Sequence, residues 1–369
     1  MIRTDKKLFT PGPLNTKASV KEAALRDLGS RDYEFVEIVA NVRQELLKIA
    51  GTSRKNGYEA VIMQGSGTYA VEGTLTTAIP EGAKVLNIIN GAYGRRISNI
   101  LDIHNIDHID IIFPENEHPN LEVIEDAIKC NQDIKYLSVI YCETTTGIIN
   151  PIDDIMKTAK KYGLITIVDA MSIFGAIEIN VNEMQIDYLI SSSNKCIEGI
   201  PGFAFVIFNR EVMETTLKTK RTLSLDIYEQ WKGLERDGQF RFTPPIQAIL
   251  AFHQALKEME AEGGVIARKA KYQKNAEVVL KGMEALGFEP YLKNGKESYI
   301  INTFRYPKNF PFDFQTFYRR LNEKDLVIYP GKLTNEDCFR IGNIGELNEN
   351  DMETLLDAIE TVVNEFKAI

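Results

Sequence analysis

Four polar clusters, each directly after an apolar run, carry residue types able to hold and use a small anionic cofactor. Gly65-Ser66-Gly67-Thr68 follows Ala60-Val61-Ile62-Met63 and precedes a helical stretch. Small residues with free N–H groups at a helix N-terminus form an anion site, and two hydroxyls add donors. No Gly-Lys-Ser/Thr follows, so the turn is not a P-loop, and its glycine spacing does not fit a dinucleotide fingerprint. Tyr141-Cys142-Glu143-Thr144-Thr145-Thr146-Gly147 follows Tyr136–Ile140 and offers a threonine hydroxyl to a phenolic oxygen. Asp169 ends the run Leu164–Val168. A carboxylate there can accept the N–H of a protonated pyridine ring and keep it cationic. Lys195 ends Ser191-Ser192-Ser193-Asn194-Lys195, after Tyr188–Ile190. A lysine held at a strand end in a partly desolvated cleft has a lowered pKa and forms imines.

Each cluster also has an ordinary reading: a tight turn, a β-branched strand end, a strand-end aspartate, a solvated lysine. Their order gives them weight. An anion turn, a hydroxyl loop and a pyridine partner are followed by a lysine 26 residues beyond the aspartate. Pyridoxal phosphate needs such a set: a phosphate cradle, a carboxylate opposite the ring nitrogen and an imine-forming amine.

The elements that must position these residues read as α/β. The four runs above are joined by Val85–Ile89, Ile109–Phe113 and Phe203–Phe208, with helical stretches such as Phe35–Leu47 and Asp153–Tyr162 between runs. Nearly continuous apolar strands separated by helices imply a mainly parallel, seven-stranded sheet covered on both faces. In such sheets ligands sit outside the carboxyl ends of the strands. After Pro244-Pro245 the pattern changes to long helices broken at Gly263-Gly264, then short strands at Tyr299–Phe304, Leu326–Tyr329 and Cys338–Ile341. A final helix carries Met352, Leu355, Leu356, Ile359, Val363 and Phe366 on one face, with Asn348 or Asn350 as N-cap. The expectation is a large cofactor-binding domain over residues 1–260 and a smaller α+β domain over 261–369.

Composition narrows the function classes. The net charge of −9 opposes nonspecific nucleic-acid or anionic-membrane binding. No apolar run approaches the ~18 residues of a spanning helix, and no signal-peptide core follows Met1–Lys7. Cys130, Cys142, Cys196 and Cys338 are scattered without a CxxC, which suits a reducing cytoplasm. His104 and His108 read as a helix-to-strand corner, and His118 and His253 have no evident ligand partners, so no metal site is expected. A G-x-S-x-G elbow is absent.

Over essentially its whole length the chain resembles the fold-type-I pyridoxal-phosphate enzymes of the class V aminotransferase group. The carriers are Phe9-Thr10-Pro11-Gly12-Pro13-Leu14-Asn15, Gln64–Thr68, Cys142–Gly147, Asp169-Ala170-Met171-Ser172, Ser192-Ser193-Asn194-Lys195-Cys196 and Phe242-Thr243-Pro244-Pro245. The opening PGP segment, the ETTTG run and SSSNKC point to the branch that uses 2-aminoethylphosphonate and pyruvate. The resemblance implies an aspartate-aminotransferase-like fold, with residues 1–15 lying near the small domain. It implies that Lys195 forms the imine with pyridoxal 5′-phosphate and that Asp169 meets the ring nitrogen. It implies that Ser66, Gly67 and Thr68 hold the cofactor phosphate with Ser193 nearby. Tyr93 and Met171 are expected on opposite ring faces and Thr145 at the ring hydroxyl. Thr243 is expected to serve the phosphate of a neighbouring subunit, in a homodimer with shared sites. Arg340 is expected to fork the substrate's phosphonate or carboxylate, a geometry that suits guanidinium. Rival readings are an alanine–glyoxylate or serine–pyruvate aminotransferase and, more distantly, a non-enzymatic cofactor-binding protein. A cysteine desulfurase would need a mobile loop cysteine, whereas Cys338 reads as strand.

Overall fold

A computed structural model describes residues 5–216, 220–293, 295–331, 333 and 336–368, so residues 1–4 of the N-terminal segment lie outside the described residues. After β1 (Lys7–Leu8), helices α1 (Ala18–Ala23) and α2 (Tyr33–Ile49) lead to β2 (Tyr58–Gln64). Then α3 (Gly67–Ala78), β3 (Lys84–Ile89), α4 (Ala92–Ile103), β4 (His108–Ile112), α5 (Leu121–Cys130) and β5 (Ile134–Ile140) alternate. A small hairpin, β6 (Cys142–Glu143) and β7 (Ile148–Ile149), precedes α6 (Ile152–Lys161), β8 (Ile165–Asp169), β9 (Tyr188–Ser192) and β10 (Phe203–Asn209).

The seven-stranded sheet has the order β2-β10-β9-β8-β5-β3-β4. Its pairings are parallel except those of β10, which runs antiparallel to both β2 and β9. Chain length explains the exception. Only a short turn separates Ser192 from Phe203, and parallel neighbours need a crossover of a dozen residues or more. Strands β2, β9 and β10 are buried along nearly their whole length, so helices cover both faces. The carboxyl ends of β2, β3, β5, β8 and β9 release the chain at Gly65, Asn90, Tyr141, Ala170 and Ser193. That common edge is where the chemistry-bearing residues gather.

Helices α7 (Arg210–Thr216), α8 (Ile227–Asp237) and α9 (Ile246–Glu262) follow, and Gly263, with φ of +104°, separates α9 from α10 (Gly264–Ala285). The long α10 places Tyr272 in the core of the sheet and Val279 and Met283 in a second core. That second core is built by β11 (Ile301–Arg305), α11 (Phe314–Asn322), β12 (Leu326–Val327), β14 (Cys338–Gly342) and α12 (Glu349–Lys367), with β13 (Tyr329–Pro330) at its edge. Asn348 caps α12 in a capping box with Asp351. The single strand expected over Leu326–Tyr329 divides in two: β13 joins the β11-β14-β13 sheet, while β12 pairs in parallel with β1. The N-terminal segment is thus stitched to the C-terminal part of the fold. Phe9 lies in the second core, and the Gly342 and Glu346 N–H groups donate to Phe9 O and Asn15 O.

Candidate active site

Lys195 sits in the turn after β9, partly buried. Its Nζ donates to Pro11 O at 2.6 Å. Gly12 lies directly against it: a Cβ there would fall 2.8 Å from Nζ, and φ of +120° already disfavours any side chain. Burial pushes the lysine's pKa below its ordinary value. The turn is braced from behind. Glu198 N donates to Lys195 O at 2.7 Å while Glu198 itself takes a left-handed φ of +64°. The buried Arg268, on α10, donates to Cys196 O at 2.7 Å and pairs with Glu262 and Glu198. Glu198, Glu262 and Glu346 converge as a metal site would, but Arg268, Lys271 and Lys17 supply cations to Glu198 and Glu262.

A cavity of about 190 Å³ opens beside Lys195, lined by Ser66, Gly67 and Thr68 at one end and by Asp169, Met171 and Tyr93 along its walls. Ser66 is the N-cap of α3, yet its side chain makes no capping bond, so its hydroxyl and the first-turn N–H groups are open to an anion. Gly67 is close-packed on Met171, whose side chain a Cβ would strike. Asp169 is buried; Met171 N donates to its Oδ1 at 2.8 Å. Burial pushes its pKa up to about 6, against the opposing pull of Arg96 and Lys195.

Not every expected residue lines this cavity. Ser193 turns its hydroxyl to Ile200 O at 2.7 Å, while Ser192 and Asn194 face the cavity. The chain has left β9 by Ser193, and its hydroxyl is used to close the turn that carries Lys195. Thr145 lies behind the wall, accepting Ala92 N at 3.1 Å and donating to Glu143 Oε2 at 3.0 Å. Thr243 is exposed, in a separate surface pocket with Arg31. Arg340, on β14, is buried outside the cavity lining. Its Nη1 donates to Thr144 O at 2.6 Å and its Nε to Pro330 O at 2.9 Å, and it lies 5.0 Å over the Tyr329 ring. Among the described residues no carboxylate pairs with it, and burial lowers its pKa.

Two residues were missed. Arg96 lines the cavity, donates to Thr68 Oγ1 at 3.1 Å and lies 4.7 Å over the Tyr93 ring. Its signal was its place three residues after Tyr93, one helical turn on. Glu143 is wholly buried and accepts N–H bonds from Tyr93 and Gly94. An acidic residue closing an otherwise apolar strand was the signal there.

Residues 18–334 match the family model Aminotransferase class-V. The chain belongs to the class-V aminotransferases. A class-V relative, the bifunctional phosphonoacetaldehyde hydrolase/aminoethylphosphonate transaminase of Clostridioides difficile, is 46% identical over 97% of this chain, which spans 56% of that protein's length. The 2-aminoethylphosphonate–pyruvate transaminase of Bacillus cytotoxicus is 46% identical over 95% of this chain and 96% of its own. Among solved structures, the alanine–glyoxylate aminotransferase of Nostoc sp. superposes with a TM-score of 0.89 at 24% identity, covering 98% of this chain and 96% of its own, a likeness of fold.

Class-V aminotransferases use pyridoxal 5′-phosphate, and the residues here fit it. The uncapped N-terminus of α3 suits its phosphate, the buried Asp169 suits its ring nitrogen, and the Lys195 amine reaches the same cavity. No helix among the described residues is long and apolar enough to cross a membrane.

The buried carboxylates set a pH dependence for the cofactor-free aminotransferase. Asp169 and Glu143 are raised by burial from ordinary values of 3.8 and 4.5 to about 6 and about 7. Between those limits the folded chain holds more protons than the unfolded one. Stability from these two groups is therefore fully present below the lower values and lost as pH rises through the upper ones. The expected result is that the thermal midpoint of Asp169→Asn/Glu143→Gln declines less than wild type between pH 5 and pH 8. Equal declines would rule this out.

Proposed function

We propose that the chain moves the amino group of 2-aminoethylphosphonate to pyruvate, giving phosphonoacetaldehyde and L-alanine. The observation that carries this is the 46% identity, over 95% of this chain and nearly the whole relative, to a protein named for that reaction. Arg340 supports it: a buried guanidinium held by Thr144 O and Pro330 O has no carboxylate partner among the described residues, so its charge is left for a substrate oxyanion.

Pyridoxal phosphate, when bound, supplies a carbonyl carbon that carries the amino group and a ring that takes up the electron pair left by C–H cleavage. The N-terminus of α3, with Ser66 and Thr68, binds the phosphate. Asp169 holds the proton on the ring nitrogen. Tyr93 and Met171 confine the ring. Lys195 Nζ, whose pKa burial lowers, takes the proton from the amine-bearing carbon and delivers it at the cofactor's C4′. Arg340 binds the phosphonate in one half-reaction and the pyruvate carboxylate in the other, so one pocket serves two acids. Two subunits share each site through Thr243, whose exposure, with that of Phe242 and of Tyr69 next to Thr68, suits a covering partner.

The test is an amino-donor screen with pyruvate as acceptor. Turnover with 2-aminoethylphosphonate is expected to exceed that with serine, and the reverse order would overturn the assignment in favour of a serine–pyruvate aminotransferase. Arg340→Ala is expected to lower kcat/KM for both acids by on the order of 10²-fold, about 3 kcal/mol, the scale of truncating a buried charge contact. A loss confined to one substrate would show that the two acids use different cations.

A further inference from the structure

Glu143 is a buried carboxylate with no cation paired to it among the described residues, an arrangement that costs stability unless its hydrogen bonds are made elsewhere. It makes three. Oε1 accepts Tyr93 N at 3.1 Å and Gly94 N at 2.8 Å, and Oε2 accepts the Thr145 hydroxyl at 3.0 Å. The first two are first-turn groups of α4, whose N-cap, Gly91, has no side chain to cap it. A carboxylate some 50 residues downstream does the work of the missing cap, at the end of the helix dipole that favours negative charge. Space is reserved for it: a Cβ on Gly91 would lie 2.5 Å from the Glu143 carboxylate. Gly91 is extended, with φ of 173°, so the requirement for glycine there is room and not backbone conformation.

The same carboxylate controls Thr145. That hydroxyl accepts Ala92 N at 3.1 Å, and its one proton is committed to Glu143. Toward a phenolic oxygen it can then act only as an acceptor. Tyr93 and Arg96, both on α4, line the cofactor cavity, so the position of this helix fixes the shape of the cavity.

We propose that Glu143 is a positioning residue for the cofactor: it caps α4 to hold Tyr93 and Arg96 in place, and it aims the proton of Thr145 away from the cofactor. This rests on reading the Lys195 cavity as the pyridoxal phosphate site. Two substitutions separate the two roles. Glu143→Gln keeps an oxygen for the α4 N–H groups, but its amide donates to Thr145 Oγ1 and so turns the Thr145 proton outward. Glu143→Ala removes both functions.

The experiment titrates purified cofactor-free protein with pyridoxal phosphate and follows the visible absorption band of the bound cofactor across pH. Appearance of the band in wild type and its loss in Lys195→Ala establish the site independently of Glu143. Glu143→Ala is expected to bind the cofactor about tenfold more weakly, the scale of a lost helix cap. Glu143→Gln is expected to bind within a few-fold of wild type but to shift the pH midpoint of the band. In a Thr145→Val background the midpoint should be the same with Glu or Gln at 143. Wild-type affinity and midpoint in Glu143→Ala would overturn the proposal. So would a Glu143→Gln shift that persists without the Thr145 hydroxyl, since that shift would come from charge alone. If Glu143→Ala does not fold, the Gln and Val variants decide the question.

Discussion

Lys195→Ala is expected to lower turnover by on the order of 10⁴-fold or more, because in the proposed mechanism one amine is both the covalent attachment point and the group that moves the proton. The fold should survive. Among the described residues, Lys195 Nζ makes no ion pair, and its hydrogen bond is the one to Pro11 O. Removing a buried amine whose protonated form is disfavoured also relieves a desolvation cost. Thermal stability should therefore match or exceed wild type even as activity disappears. The measurement is a pair of single-turnover half-reactions, one started with 2-aminoethylphosphonate and one with pyruvate, beside a melting curve. A small primary amine added to the variant should restore part of the rate, since the missing group is a base in an existing cavity. Normal turnover in the variant would sink the mechanism.

Asp169→Asn is expected to cost on the order of 10³-fold in the same half-reactions, the scale seen when one preorganised electrostatic contact to developing charge is lost. The asparagine Oδ1 can still accept Met171 N, so the turn after β8 should hold its shape. What it lacks is the negative charge that, in the proposed mechanism, keeps a proton on the ring nitrogen. Cofactor binding should weaken far less than the rate, because the phosphate contacts at α3 are untouched. The deficit should fall on C–H cleavage. A deuterium isotope effect on the amine-bearing carbon should therefore be larger in the variant than in wild type, and an unchanged effect with an unchanged rate would remove Asp169 from this role. In the cofactor-free cavity the Asp169 carboxyl is pushed up to about 6. Cofactor capture should decline as pH falls through that value, because the protonated acid no longer offers a charge to the ring.

Those two residues were legible in the sequence because Asp169 ends an apolar run and Lys195 closes the short polar stretch that follows another. The edge of a parallel sheet gathers strand ends, so position in the sequence converts directly into position at the site. The same logic located Ser66, Gly67 and Thr68. It fails beyond the strand end, where direction matters more than location. Ser193 stands next to the cavity-facing Ser192 yet points to Ile200 O. Thr145 stands at the expected loop but spends its hydroxyl on Glu143 and the backbone. Glu143 itself was hidden because its partners, Tyr93 and Gly94, lie 50 and 49 positions away in the chain. The seven strands were readable from hydrophobic runs, whereas the reversal of β10 was not, because continuous apolar runs carry no direction. The division of Leu326–Tyr329 was invisible for another reason: the partner that captures β12 is a two-residue strand at the other end of the chain.

That pairing has a consequence for biosynthesis. Lys7 leaves the ribosome long before Leu326, its partner, has been made. The sheet carrying Asp169 and Lys195 is complete by Asn209, so it can fold while translation continues. Pro11 and Gly12 cannot take their places over the lysine until the C-terminal strands have been made. The nascent enzyme therefore passes through a stage in which Lys195 has been made but is uncovered, and a segment made early settles only after one made late.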